Sequence, residues 1–247
     1  MYQPLPALHS PSQNRLLAAF SESELELLAA HLELVKLPLG ELLYEYGGQL
    51  RYAYFPTSAI ISWYFVTASG PSAETAGVGN EGMVGISLFM GGQTTPSSAM
   101  VQAAGYAYRI ESALLKQAFN DSEPIRRLLL RYTQAFIAQI SQTVVCNRFH
   151  SLEQQLCRCL LSCLDRIPSG EFVTTQQLIA GMLGVSREDL LEAAEYLQRC
   201  GHIRCRRTHL AVLERTGLER RSCECYAAEK SELHRLLPEP GELAVQA

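Results

Sequence analysis

A chain of 247 residues with 47% hydrophobic side chains is long enough to bury two modest cores. Its formal charge of −4 at pH 7 excludes a protein that coats nucleic acid indiscriminately, which needs a broad basic surface; a small local reading head stays compatible with it. No apolar run approaches the roughly 20 residues of a membrane span. The opening "MYQPLPALHSPSQNRLL" lacks the charged-then-apolar profile of a signal peptide, so the expected location is cytoplasmic with no membrane partner. The eight cysteines, all from Cys146 onward, are accordingly expected as reduced thiols.

In chain order, a short helix is predicted over Glu22 to His31, with Leu25, Leu28 and Leu32 on one side. From about Leu34 to Ile110 come short apolar segments divided by Gly and Pro, such as "RYAYFPTSAIISWYFVT" and "SAMVQAAGYAYRI". Strands and turn signals at this frequency predict an antiparallel sandwich or rolled sheet, with Trp63 and its aromatic neighbours serving packing. From Asp121 the period becomes helical, with apolar residues at Ile125, Leu129, Tyr132, Phe136, Ile140 and Val144. Asp121 or Ser122 can cap this helix and Pro124 fits its first turn. Nearly thirty residues between two different textures can be an ordinary core helix or a connector. The expectation adopted is a connector whose six apolar residues pair with their copies in a second subunit. His150 marks its hinge.

Between Ser151 and Arg221 the pattern is three helices and two short strands. Thr174 with Gln177 resembles a capping box, Gly184 suits a tight turn, and Ser186 with Asp189 repeats the S-x-x-D start signal. Leu190, Ala193, Ala194 and Leu197 predict the buried stripe of the following helix, which Gly201 stops. "HIRC", Arg206-Arg207-Thr208 and "HLAVL" read as a hairpin wing. Two helices, a Gly-containing turn and a wing make a winged helix-turn-helix. A further helix is expected from about Gly217 up to the Pro-Glu-Pro-Gly stop.

The combined order resembles the superfamily of the cyclic-AMP receptor protein and FNR (Crp/Fnr), bacterial transcription regulators. The likeness covers roughly residues 20 to 225. It rests on the segments "YAYFPTSAII" and "NEGMVGISLFMGG", the long helix, and "VTTQQLIAGMLGVSREDLLEAAEYLQRCGHI". The resemblance implies an α+β fold: residues 1–120 a cyclic-nucleotide-binding-like β-roll, 121–150 a dimerisation helix, 151–225 a winged helix-turn-helix, and 226–247 a tail. It implies a homodimer on a palindromic double-stranded DNA operator, with RNA polymerase as a further partner. Family members that bind cyclic nucleotides hold the ribose with a Glu and the phosphate with an Arg-Ser pair. Here Gly85 or Ile86 falls in the Glu position, and Ser97-Ser98 replaces Arg-Ser. Loss of the charge-assisted arginine partner argues against cyclic AMP. Those four residues are the candidate effector pocket, for an unidentified small effector or none. Without cysteines ahead of Cys146 the family's iron–sulfur cofactor is not expected, nor is haem.

The DNA-binding candidates are Thr174, Thr175 and Gln176 at the first helix start, and Ser186, Arg187, Glu188 and Glu192 on the recognition helix. Arg204, Arg206 and Arg207 in the wing complete the set. Arg187 can read guanine and Glu188 cytosine. The resemblance implies a second base-reading Arg where Glu192 stands, so a shifted target sequence is expected. From Glu171 to Arg221 eight arginines oppose seven carboxylates, which predicts moderate, salt-sensitive affinity. The acids also support a rival reading, a ligand-sensing or protein-interaction module whose helix-turn-helix has lost DNA binding. An enzyme is not expected, because no nucleophile–base pair, metal motif or phosphate loop is legible. Cys157, Cys159, Cys163, Cys223 and Cys225 do not match paired C-x-x-C zinc spacing and are read as small hydrophobes, with no metal ligands assigned. Cys200 and Cys205, beside the reading helix and near arginines, are candidate redox thiols.

Overall fold

The computed structural model describes residues 10–66, 72–92, 94–167, 171–173, 175–206 and 209–237. Two short helices, α1 (Arg15–Ala18) and α2 (Glu22–Ala29), come first. Ser21 and Glu24 close a reciprocal capping box at the start of α2. Seven strands follow: β1 (Glu33–Leu37), β2 (Leu42–Tyr44), β3 (Tyr52–Pro56), β4 (Ile60–Val66), β5 (Ser72–Val78), β6 (Ser98–Ala103) and β7 (Gly105–Glu111). They pair antiparallel in two sheets, ordered β1-β7-β3 and β2-β6-β4-β5. The chain passes from one sheet to the other at Gly105. A Cβ there would lie 2.4 Å from the Ala59 backbone nitrogen, so only glycine lets the roll close.

Two helices leave the roll, α3 (Ser112–Asp121) and α4 (Glu123–Phe149). Ser122 caps α4 by accepting the Ile125 N–H, and Pro124 lies in the first turn as expected. The face that α4 turns to the roll is Ile125, Leu128, Leu129, Tyr132 and Phe136, all buried in the same core as Phe55, Met83 and Leu115. This corrects the expected dimer seam. Burying a side chain of this size contributes about 1.5–3 kcal/mol, so Ile125, Leu129, Tyr132 and Phe136 are held by their own subunit. Ile140 is partly buried against the same core, and Val144 is the one member of the six that is exposed. The outward stripe is instead Leu130, Ile137 and Val144, at seven-residue steps and 49%, 53% and 62% exposed. The apolar period is the expected one, but two stripes share the helix and the longer one faces inward.

The second core collects α5 (Leu152–Arg166), β8 (Glu171–Val173), α6 (Gln176–Leu183), α7 (Arg187–Arg199), β9 (Ile203–Cys205), β10 (His209–Val212) and α8 (Arg215–Arg221). Leu156, Leu160, Ile179, Leu190, Leu197, Ile203 and Leu218 fill it, with Ile60 and Ala103 of the roll packed into the same cluster. The wing is a three-stranded sheet, β8-β10-β9, one strand more than expected. The helix predicted from Gly217 breaks at Ser222, whose backbone is extended (φ −68°, ψ 154°). The chain then restarts as α9 (Cys225–Leu236). The region expected as a tail therefore packs along α4, and Leu233 and Leu237 join the core of the roll.

Buried charge joins the two cores. Arg166, in the last turn of α5, donates from Nε to Glu81 Oε1 at 2.7 Å. Glu229 of α9 approaches Arg166 at 3.6 Å and Arg158 at 3.1 Å. Two glycines make room for this. A Cβ on Gly79 would sit 2.5 Å from the Arg166 side chain, and one on Gly82 would sit 2.3 Å from the Tyr132 ring. Tyr132 in turn donates its hydroxyl to the Met83 carbonyl at 2.8 Å. "GNEGM" is thus the segment against which α4 and α5 are both seated.

Candidate nucleic-acid interface

The two helices of the helix-turn-helix, α6 and α7, start on hydroxyl caps. Thr175 accepts the Leu178 N–H and Ser186 accepts the Asp189 N–H, each leaving the neighbouring N–H groups of its first turn directed outward. The cap of α6 is Thr175, one residue beyond the expected Thr174-x-x-Gln177 box, and Leu178 at the third helical position cannot reciprocate it. Thr174 and Arg207 lie outside the described residues. Gly184 (φ 66°) makes the tight turn between α6 and α7, and Gly201 (φ 75°) ends α7.

Along α7, Leu190, Ala194 and Leu197 are buried, and Ala193 packs half-buried beside them. Ser186, Arg187, Glu188, Glu192 and Glu195 are exposed, as are Arg204 and Arg206 of the wing. One relay brings three of the elements together. Arg187 donates to the Gln176 side-chain carbonyl at 3.2 Å, and Gln176 donates through its amide to Cys205 Sγ at 3.5 Å. The Cys205 N–H then donates to the Gln198 side chain at 2.8 Å. Gln176 therefore spans the first turn of α7 and the edge of the wing, which aims Arg187 rather than leaving it to sweep through solvent. His202, beside the wing in sequence, is turned inward between Glu214 and Arg221 and leaves the surface charge to the arginines.

Residues 154–221 match the family model for the Crp-like helix-turn-helix domain. In fold, the chain is similar to FixK2 from Bradyrhizobium japonicum (TM-score 0.67, 14% identity, covering 78% of this chain and 98% of that one). It is also similar to the c-di-GMP-responsive global regulator CLP of Xanthomonas campestris (0.62, 17%, 78% and 99%). A third is a transcriptional regulator of the CRP family from Thermus thermophilus (0.62, 16%, 76% and 96%). The chain has the Crp/Fnr fold. No curated protein sequence matches it closely enough to count as a relative.

Within this Crp/Fnr roll the four candidate effector residues divide between the two sheets, Gly85 and Ile86 beside β3 and Ser97 and Ser98 at the start of β6. Gly85 has φ 114°, and a Cβ there would lie 3.3 Å from the Ala53 Cα, so the position is a turn that favours glycine. Ile86 opens a short 3-10 turn. Ser97 is fully buried, shares a hydrogen with Thr95 at 2.6 Å, and lies in hydrogen-bonding contact with Tyr44. Ser98 Oγ accepts the Tyr46 N–H at 3.1 Å. Burial pushes the Tyr44 phenol well above its ordinary pKa, so it stays a neutral hydrogen-bonding group. The face of the roll toward α4 is occupied by Trp63, whose ring packs 5.1 Å from that of Phe136.

The cysteines divide into three groups. Cys157, Cys159 and Cys163 belong to the second core, and burial pushes the Cys157 thiol up to about 12. The redox candidates behave differently from each other: Cys200 is exposed with Arg221 at 3.8 Å, while Cys205 is half-buried within the Gln176 relay. The third group is not legible in the sequence. Cys146, Cys223 and Cys225 gather with His150 where α4 ends, although 77 residues separate Cys146 from Cys223.

Proposed function

We propose that this protein is a homodimeric, sequence-specific transcription regulator that reads a palindromic operator with α7 and cooperates with RNA polymerase. The observation that carries the reading is the Gln176–Arg187 contact, which fixes an exposed arginine at the start of a capped, outward-facing helix. Arg187 presents two parallel donors to a guanine edge, Glu188 accepts from cytosine, and Arg204 and Arg206, with Arg207, hold phosphates. Thr174, Thr175 and Gln176 add contacts at the start of α6. Glu192, exposed where the family resemblance implies arginine, shifts the target sequence. The two reading heads are paired through Leu130, Ile137 and Val144, the exposed heptad of α4. The roll works as a scaffold filled by Tyr44, Trp63 and Phe136 rather than as a cyclic-AMP receptor.

Fluorescence anisotropy on duplexes selected from a random pool tests the reading directly. Affinity should fall steeply with salt, and Arg187→Ala should weaken the selected site by about 10–100-fold while flattening sequence preference. Absence of any salt-dependent duplex binding would leave the acids of α7 as the surface of a protein-interaction module instead. A second selection with Glu192→Arg should return a different consensus; an unchanged one removes Glu192 as the determinant.

A further inference from the structure

We propose that Cys146, His150, Cys223 and Cys225 form a closed tetrahedral site for a single zinc-class ion, which fastens the end of α4 to the junction of α8 and α9. Cys146 and His150 are one helical turn apart on α4, His150 being its C-cap. Cys223 and Cys225 flank Glu224 at the break between the last two helices. Cys146 Sγ lies 3.6 Å from Cys223 Sγ, Cys225 Sγ lies 3.4 Å from His150 Nδ1, and all four donor atoms fall within 4.8 Å of one another. A tetrahedron with zinc–sulfur bonds of about 2.3 Å and a zinc–nitrogen bond of about 2.0 Å has edges of roughly 3.5–3.8 Å. The observed 3.6 Å sulfur–sulfur and 3.4 Å sulfur–nitrogen separations come within about 0.2 Å of those edges. Four donors this close enclose one ion and leave no room for a multinuclear iron–sulfur cluster.

The surroundings favour a ligand set over simple packing. Cys157, Cys159 and Cys163 sit among leucines and isoleucines in the second core, as cysteines used for bulk do. Cys146, Cys223 and Cys225 instead form a buried cluster of thiols alone. His150 turns Nε2 toward Glu224 at 3.3 Å, and a carboxylate there fixes the tautomer that directs the Nδ1 lone pair at the sulfurs. The Gln142 amide donates to Cys225 Sγ at 2.9 Å, a contact that suits a thiolate better than a thiol. Three soft thiolates and an imidazole select zinc over magnesium or calcium, and four protein ligands leave no open position, which marks the site as structural. On loading, three zinc–sulfur bonds and one zinc–nitrogen bond form, and each ligating thiol gives its proton to solvent.

The experiment uses the full chain without a histidine tag, purified anaerobically with reductant. Elemental analysis should find one zinc per chain, and cobalt(II) added to the stripped protein should give the visible absorption of a tetrahedral thiolate complex. Cys146→Ser and Cys223→Ser should abolish that absorption, whereas Cys157→Ser should keep it. Glu224→Gln, at an exposed position that does not threaten folding, should weaken cobalt affinity by about 10–100-fold through His150. Parent protein with all thiols reduced that holds no stoichiometric zinc and gives no tetrahedral cobalt spectrum overturns the site. So does full metal binding by the Cys146→Ser, Cys223→Ser double variant.

Discussion

The Arg166 guanidinium of α5 lies 2.7 Å from the Glu81 carboxylate of the loop between β5 and β6, and both groups are buried. One ion pair thus sits at the joint between the roll and the helix-turn-helix domain. Removing one partner of a buried pair typically costs about 3–5 kcal/mol, because the other charge stays desolvated. Glu229 at 3.6 Å gives Arg166 a second carboxylate, so Glu81→Gln should cost less, on the order of 2–3 kcal/mol. Urea denaturation measures it. Glu81→Leu combined with Arg166→Met should be milder than Glu81→Gln alone, and a harsher double variant would mean the pair is more than a desolvated joint.

Glycines separate by what surrounds them. Gly82→Ala drives a Cβ to 2.3 Å from Tyr132 and should destabilise by about 1–3 kcal/mol or more. Gly181, inside α6 with no atom within 4 Å of its built Cβ, should behave oppositely. Gly181→Ala is expected to stabilise by roughly 0.5–1 kcal/mol through helix propensity. Thermal unfolding of the two variants side by side checks the contrast.

The two stripes of α4 should respond to substitution in different ways. Leu129→Ala empties a fully buried site and should cost about 2–5 kcal/mol of folding stability. Ile137→Glu puts a charge on the outward heptad, and sedimentation should show dissociation into folded subunits. If Ile137→Glu sediments as the parent does, the pairing surface lies elsewhere.

Glu74 gives the fold a pH dependence. Burial pushes its carboxyl up from 4.5 to about 7, while the Ser62 hydroxyl and the charge of Arg166 pull the other way. Between those values the folded chain keeps a proton that the unfolded chain has released. The stability contributed is therefore complete below about pH 4.5, declines as pH rises, and is lost above pH 7. Glu74→Gln should remove this slope and gain on the order of 1–3 kcal/mol at pH 8. Denaturation midpoints across pH 5–8 for parent and variant decide it, since parallel curves would clear Glu74 of the effect.

The helix-turn-helix is legible in the sequence because its signals are local. Ser186-x-x-Asp189, Gly184 and the Leu190, Ala194, Leu197 stripe each fall within one turn of the structure they specify. Legibility fails where distance along the chain hides proximity. The Val144 heptad and the Ile125–Phe136 face have the same period on one helix, and only the presence of the roll decides which is inward. Cys146 and Cys223 offer no spacing motif, since a break at Ser222 and the return of α9 bring them together. Glu81, Arg166 and Glu229 are hidden for the same reason. A weak signal does exist in the two cysteines bracketing Glu224, so close after the wing.

The seating of Leu233 and Leu237 in the roll has a consequence for how the chain is made. The strands of the roll leave the ribosome ahead of the helix-turn-helix, yet the part of their core that Leu233 and Leu237 cover stays open until α9 emerges more than a hundred residues later. Domains usually close in the order of their synthesis. Here the roll waits on α9 for that patch, so a nascent chain that stalls within the helix-turn-helix leaves it open to chaperones and proteases.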